Sequence, residues 1–233
     1  MRVVREEAQF VVVDKPTGWL SVPSRLGRAE TRPVVGLELE RVLGTRIWPV
    51  HRLDEDVSGL LLFAKNAEAH RWASALFEGR GVQKRYEALT LEEERGRGRE
   101  AAGISLPLEA PGAETRAWES KLLRGKRRAF ERPDGKPSRT RARDRGLVEV
   151  EDRTARLWDL EPLTGRAHQL RFEMMKRFAP IWGDELYGSQ VVWPRGGVAL
   201  RSVALRFAPE DHPEAYGLPL ELSVEGLGAV LRS

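Results

Sequence analysis

The chain has 233 residues, 41% hydrophobic and 32% charged, with a formal net charge of +4 and no cysteine. That composition suits a soluble globular core of one large domain or two small ones, and it excludes disulfides, a thiolate nucleophile and cysteine-ligated zinc. Apolar runs reach only about five or six residues against the roughly 20 that span a bilayer, and the opening MRVVREEAQFVVVDKP carries acids ahead of its short apolar run, unlike a secretory signal, so a cytoplasmic location is expected.

In chain order, QFVVV (residues 9–13) predicts a strand that stops at Asp14-Lys15-Pro16. Residues 33–43 predict a helix: Pro33 suits its first turn, Val35, Leu39, Val42 and Leu43 share a face, and Gly44 ends it. In HRLDEDVSGLLLFAKN (51–66), a basic pair meets acids and then an apolar run, Gly59 to Ala64, that reads as a buried strand. A second helix spans Ala67 to Glu78, buries Ala69, Trp72, Ala73, Leu76 and Phe77, takes Asn66 as N-cap and stops at Gly79. Val82 to Leu91 predicts a strand with Lys84 and Tyr86 on one face, Arg85 and Glu87 on the other.

After the loop EEERGRGREAAG come short strand candidates separated by the turn-forming ERPDGKPSR, and then a strand from Ala155 to Leu160. TGRAHQLRFEMMKRF places Ala167, Leu170, Met174 and Phe178 at helical spacing and predicts a helix capped near Thr164. Val198 to Phe207 reads as a strand with Ala199, Val203, Leu205 and Phe207 on one face. There is no internal repeat and no obvious interdomain linker. Many strands with few helices predict an α+β fold in a single domain, residues 1–233.

Charge is unevenly spread. Between Arg116 and Arg145, 12 Lys and Arg stand against 4 Asp and Glu, so this stretch carries +8 and the remainder −4. Such polarity fits an anionic partner such as a nucleic acid, and it equally fits a solvated basic loop with no partner.

Four groups of residues have chemical potential. A carboxylate at the mouth of a buried strand, Asp54, is partly desolvated and needs cations or donors around it; it can act as nucleophile or base, or simply pair with Arg52. On the predicted helix His168 and Arg171 share a face, with Arg166 near an anion-binding helix start; snorkelling arginines and a structural imidazole explain the same pattern. Tyr86 offers a stacking face and a hydroxyl, or is ordinary core. Leu200 lies with Ser202 opposite the apolar face of its strand, where it walls a pocket or is merely half-buried. The four histidines, His51 among them, show no metal-ligand spacing.

Together these pieces resemble the pseudouridine synthases, in the branch named for ribosomal large subunit synthase A. VVVDKPTGWLSV is similar to the family's N-terminal strand and Asp-Lys-Pro turn, HRLDEDVSGLLLFAKN to its catalytic stretch, VQKRYEAL to its Lys-x-Tyr strand and GKPSRTRAR to its Gly-Lys-x-x-x-Thr hairpin. LTGRAHQLR and GDELYG (183–188) resemble its third motif and the turn beyond. Several ordered motifs over some 190 residues are specific where a lone His-Arg-Leu-Asp is weak.

The resemblance implies a long, mixed and mostly antiparallel sheet with flanking helices and a central RNA-binding cleft. It implies an isomerase that detaches uracil from its ribose, rotates it and rejoins it through carbon within rRNA or tRNA. By motif position Asp54 is the nucleophile, Tyr86 the active-site tyrosine and Arg171 the partner of Asp54. Arg52 helps displace the target base and Leu200 lines the pocket, with His51, Lys84, Arg166 and His168 as further substrate-binding candidates. Lys126, Arg127 and Arg128 are candidates for the RNA backbone. A cation beside the nucleophile would keep it ionised in a dry pocket, and the target base must leave its stack. No metal or organic cofactor, no membrane and no partner subunit is implied: a monomer acting on RNA. With its first strand beginning by residue 10, the chain is expected to lack the small N-terminal RNA-binding module of many relatives.

The departures are Glu55 where Arg is common, Val57 where Thr is common, Arg201 where His is frequent and Phe172 where Val is usual. They bear on substrate identity more than on reaction type. Two other classes compete: a non-catalytic RNA-binding or ribosome-assembly protein on the same fold, and an aspartate-nucleophile glycosylase that releases free base. Binding alone needs no such trio as Asp54, Tyr86 and Arg171, and product analysis separates the glycosylase.

Overall fold

The structure, a computed structural model, describes residues 1–24, 27, 30–105 and 107–230. Its elements run β1 (Arg2–Glu6), β2 (Phe10–Lys15), α1 (Val35–Leu43), β3 (Trp48–Pro49), β4 (Ser58–Ala64), α2 (Ala67–Gly79), β5 (Gln83–Leu91), β6 (Thr115–Arg124), β7 (Ala129–Glu131), β8 (Lys136–Val150), β9 (Arg153–Pro162), α3 (Gln169–Arg177), β10 (Leu200–Arg206), β11 (Glu221–Ser223) and α4 (Leu227–Val230). The chain forms two compact units, Met1–Lys84 with Arg201–Glu225, and Arg85–Leu200 with the residues from Gly226 onward. The strand pairing is mixed and mostly antiparallel, as expected.

In the first unit β4 is central. It pairs antiparallel with β2, which pairs in turn with β1, and parallel with β10. Gly59 to Ala64 is fully buried, which is why this strand reads as one apolar run and not as an alternation. Ala69 and Ala73 of α2 pack against Phe10, Val12, Leu60, Leu62 and Leu205, with Trp72, Leu76 and Phe77 partly buried around them. Trp72 stacks on Tyr216 at 4.2 Å and on Phe207 at 6.1 Å. Asn66 caps α2 by accepting from the Ala69 amide at 2.8 Å. The helix does not stop at Gly79: it includes that residue and turns off at Arg80, whose φ is 64°. In α1 the buried stripe is narrower than its spacing suggests, for Val42 is 57% exposed while Val35 and Leu39 are buried. The exposed strand β1 escapes a hydrophobic-pattern reading, since RVVRE buries neither face and survives as a charged sheet edge.

The second unit is an antiparallel array in the order β5-β9-β8-β6-β7. Its core holds Trp118, Trp158 and Phe178, with the Trp158 indole donating to Thr90 Oγ1 at 2.9 Å. The basic stretch is no set of short strands: β8 alone runs 15 residues, alternately exposed and buried from Pro137 to Arg145. Arg139, Arg141, Arg143 and Arg145 therefore line one exposed face. Three of them meet acids: Glu119 at 3.1 Å, Glu161 at 3.4 Å and Asp159 at 2.8 Å respectively for Arg139, Arg141 and Arg145. Glu119 is already counted in the local +8, so Glu161 and Asp159, which lie outside the stretch, offset only two of those charges.

Gly59 is the tightest point of the first unit. Its φ is +110°, and a Cβ there would lie 2.1 Å from the Ser202 carbonyl oxygen on the parallel neighbour β10. Gly59→Ala should lower stability by about 3 kcal/mol or more, because both the backbone conformation and the strand spacing would have to change. Urea titration of both proteins checks this, and a loss under about 1 kcal/mol would mean that β4 and β10 separate easily.

Candidate active site

Asp54 sits in the turn that leads into β4, closed by the Val57 amide donating to the Asp54 carbonyl at 3.1 Å. Both neighbours in sequence are pinned. Ser21 Oγ accepts from the Leu53 amide at 3.0 Å and donates to the Leu53 carbonyl at 2.8 Å. The Glu55 carbonyl accepts from the Gly18 amide and from Lys15 Nζ, each at 3.0 Å. Lys15 is wholly buried and also donates to the Pro16 and Trp19 carbonyls at 2.9 and 2.7 Å. Burial pushes its ammonium down to about 8, against the opposing pull of Asp56, Asp54 and Glu55. The nucleophile candidate therefore stands on a turn whose backbone has little freedom, beside a buried cation. Arg52 is exposed on the same turn.

His51 has a packing role here. Its ring stacks on Phe77 at 4.6 Å and 10°, and Nε2 accepts from the Leu62 amide at 3.1 Å. Desolvation, and then the charge of Lys84, push its pKa down to about 3. Lys84 itself is held below the ordinary lysine range by burial and then by Arg80.

In the second unit Tyr86 is buried on β5, opposite Leu160 of β9, and Leu200 is buried at the start of β10. The third-motif helix begins later than its periodicity predicts. Residues 164–168 are loop, His168 is left-handed with φ 52°, and α3 starts at Gln169. Thr164 does not cap it: its hydroxyl donates to Gln169 Oε1 at 2.7 Å and accepts from the Arg139 amide at 2.9 Å. Arg166 is tied to the Pro137 carbonyl at 2.9 Å, and the His168 ring stands edge-on to Tyr187 at 5.9 Å. Ala167 and His168 thus belong to the loop, and the face-sharing expected for His168 and Arg171 does not arise from helix periodicity.

Every residue of α3 from Gln169 to Lys176 is buried, so it is not the amphipathic helix its sequence suggests. Its charges are matched. Arg171 binds Asp184 through two bonds of 2.6 and 2.7 Å, with both side chains nearly inaccessible, and its guanidinium lies over the Tyr187 ring at 5.5 Å. Glu173 meets Arg177 at 3.2 Å, and Lys176 meets Glu131 at 2.8 Å. Removing one partner from such a buried pair costs about 3–5 kcal/mol. Asp184 and Tyr187 belong to the GDELYG turn, yet nothing in its sequence announces that they hold Arg171. Lys126 and Arg127 are exposed on the β6–β7 turn, and Arg128 reaches the Ala101 carbonyl at 3.4 Å.

The unusual residues have local partners. Glu55 pairs with Arg32 at 2.6 Å, and Arg201 with Asp14 at 2.7 Å and the Glu225 carbonyl at 2.8 Å. Val57 is core, and Phe172 packs with Leu122, Met175 and Tyr187.

The depressed His51 pKa makes a pH prediction. An unfolded imidazole protonates near 6.5, the folded one near 3. Between those values the unfolded chain binds the extra proton, so this contribution is full above pH 6.5 and is lost as pH falls towards 3, with a slope of up to about 1.4 kcal/mol per pH unit. His51→Asn, which keeps an acceptor but does not titrate, should lose that component in denaturant titrations from pH 7 to 4. Equal acid slopes in the two proteins would show that the ring is not held neutral.

Comparison with known proteins identifies the family. Residues 9–176 match the RNA pseudouridylate synthase family. The chain is 36% identical over 192 residues to the dual-specificity RNA pseudouridine synthase RluA of Vibrio parahaemolyticus, covering 81% of this chain and 69% of that protein. It is 33% identical over 197 residues to the tRNA pseudouridine synthase C of Salmonella typhimurium, covering 81% and 70%. Among solved structures, human RNA pseudouridylate synthase domain containing 4 superposes with a TM-score of 0.66 at 16% identity, covering 96% of this chain and 88% of that one. Human domain containing 1 gives 0.64 at 20% identity, covering 99% and 93%. The motifs, the sheet that carries them and these matches converge: the chain belongs to the RNA pseudouridylate synthase family.

Proposed function

We propose that this protein isomerises uridine to pseudouridine in rRNA or tRNA, with Asp54 as nucleophile. The observation that carries the reading is the family match across residues 9–176, which includes the Asp54 turn, the Tyr86 strand and the Arg171 helix. Uridine and pseudouridine have the same atoms, so the enzyme need supply no oxidant and no second substrate. The bond from ribose C1′ to uracil N1 breaks, one from C1′ to C5 forms, and the proton from C5 leaves to water while N1 gains one. Asp54 assists the departure and return of the base. Tyr86 stacks on the extruded uracil and stands near the proton that moves. Arg171 supplies positive charge for the carboxylate. Arg52 fills the gap left in the RNA stack, Leu200 bounds the base, and Lys84, Arg166 and His168 take the neighbouring RNA groups. The protein works as a cytoplasmic monomer on an RNA partner. Among the described residues no helix is long and apolar enough to cross a membrane.

Asp54→Asn keeps size and removes the nucleophile, so pseudouridine formation on unmodified tRNA and rRNA should fall by several orders of magnitude while RNA affinity stays. Turnover within about tenfold of wild type would overturn the assignment, and free uracil as product would replace it with a glycosylase. Tyr86→Phe should keep affinity and lose rate. Arg171→Ala is a poorer probe, because it also strands the buried Asp184.

Lys126, Arg127 and Arg128 changed together to Gln should weaken RNA binding across sequences and flatten the log–log salt dependence by about 0.7 for each RNA phosphate that is no longer neutralised, with maximal rate preserved. An unchanged slope would make this turn plain solvated surface. A lost maximal rate with normal affinity would place it in the chemistry.

A further inference from the structure

Residues 54 to 56 are three consecutive acids on the turn that presents the proposed nucleophile. RNA brings its phosphates there, so an uncompensated acid at this point opposes substrate. Lys15 lies beneath the turn. Arg32 meets it from the side. One guanidinium makes three charged hydrogen bonds: Nε and one terminal nitrogen to Glu30 at 2.7 Å each, and the other terminal nitrogen to Glu55 Oε2 at 2.6 Å. The Arg32 amide also donates to Glu30 at 3.1 Å. Glu30 has a side chain only 5% exposed, and its hydrogen bonds to Arg32 and then to Ser24 hold its carboxyl down to about 2. It orients the guanidinium from behind. Arg32 and Glu55 are 38% and 33% exposed and form the side open to solvent.

An ion pair this exposed adds little stability. Its effect is on charge. Adjacent Cα atoms are about 3.8 Å apart, so Glu55 stands within a Debye length, about 8 Å at physiological salt, of whatever Asp54 attacks. Resting on the reading of this chain as an RNA pseudouridine synthase, we propose that Arg32 is a positioning residue for substrate: it masks the Glu55 carboxylate so that RNA phosphate can pass beside the nucleophile. The cation that offsets Glu55 is delivered from a separate segment, 23 residues earlier in the chain.

A masking role and a brace role give different patterns of variants. If Arg32 masks, Arg32→Gln bares Glu55 and weakens binding of a short fluorescent oligouridylate and raises KM on unmodified tRNA, each by about tenfold at low salt, with kcat much less affected. Glu55→Gln alone binds as well as wild type or better, and the double variant returns to wild-type affinity. The defect of Arg32→Gln shrinks as salt rises. If the pair is only a brace, both single variants are equally impaired and the double variant is no better; that pattern, or four equal affinities, overturns the proposal. Failure of the wider reading looks different: the wild-type protein itself would then form no pseudouridine and bind no oligouridylate, leaving Arg32 nothing to protect.

Discussion

One buried ammonium fixes the ground on which Asp54 stands. Lys15 Nζ has three carbonyl acceptors, two from its own turn and one from Glu55, forty residues away in sequence. A buried charge is tolerated only when its hydrogen bonds are made, so the carbonyls must stay where they are. Because these acceptors are neutral, the positive charge is not consumed in an ion pair. Asp56, Asp54 and Glu55 in turn oppose the lowering of the Lys15 pKa by burial. Ser21 completes the clamp by holding both polar groups of the Leu53 backbone. The β2 strand and the turn after it thus act as a cradle for a turn that arrives much later in the chain.

The second unit uses charge differently. In α3 the buried groups are paired one to one, and Arg171 is fixed by the planar fork of its guanidinium on Asp184. Such pairing contributes little net stability beside an apolar helix of the same volume, but it leaves Arg171 few alternative positions. Preorganisation of this kind is what a charged site needs if its groups are not to rearrange when substrate arrives.

Much of this was legible in the sequence where pattern and geometry have the same period. β4 shows as an unbroken apolar run because it is covered on both faces, and α2 shows through Asn66 and its apolar stripe. The α3 start was not legible: a left-handed His168 has no compositional mark, and the helical spacing of Ala167 with Leu170 continues through a segment that is in fact loop. ERPDGKPSR does mark the turn between β7 and β8, but its last four residues already belong to the 15-residue β8, where Pro137 sits near the beginning and a missing amide matters least. Asp54, Tyr86 and Arg171 were reached through the order of motifs, not through their surroundings. Lys15, Ser21, Asp184 and Arg32 were missed as site-builders because their roles come from partners 13 to 40 residues away in sequence.

The parallel pairing of β4 with β10 also sets a schedule for biosynthesis. Gly59 faces Ser202, so some 140 residues must be translated before β4 acquires that neighbour. At roughly 5–20 residues per second a ribosome takes on the order of ten seconds to cover this distance. Through that interval the apolar β4 lacks one edge partner, and Trp72 lacks the Tyr216 and Phe207 rings that later stack on it. The nascent chain therefore carries its Asp54 turn long before the strand behind it is secured.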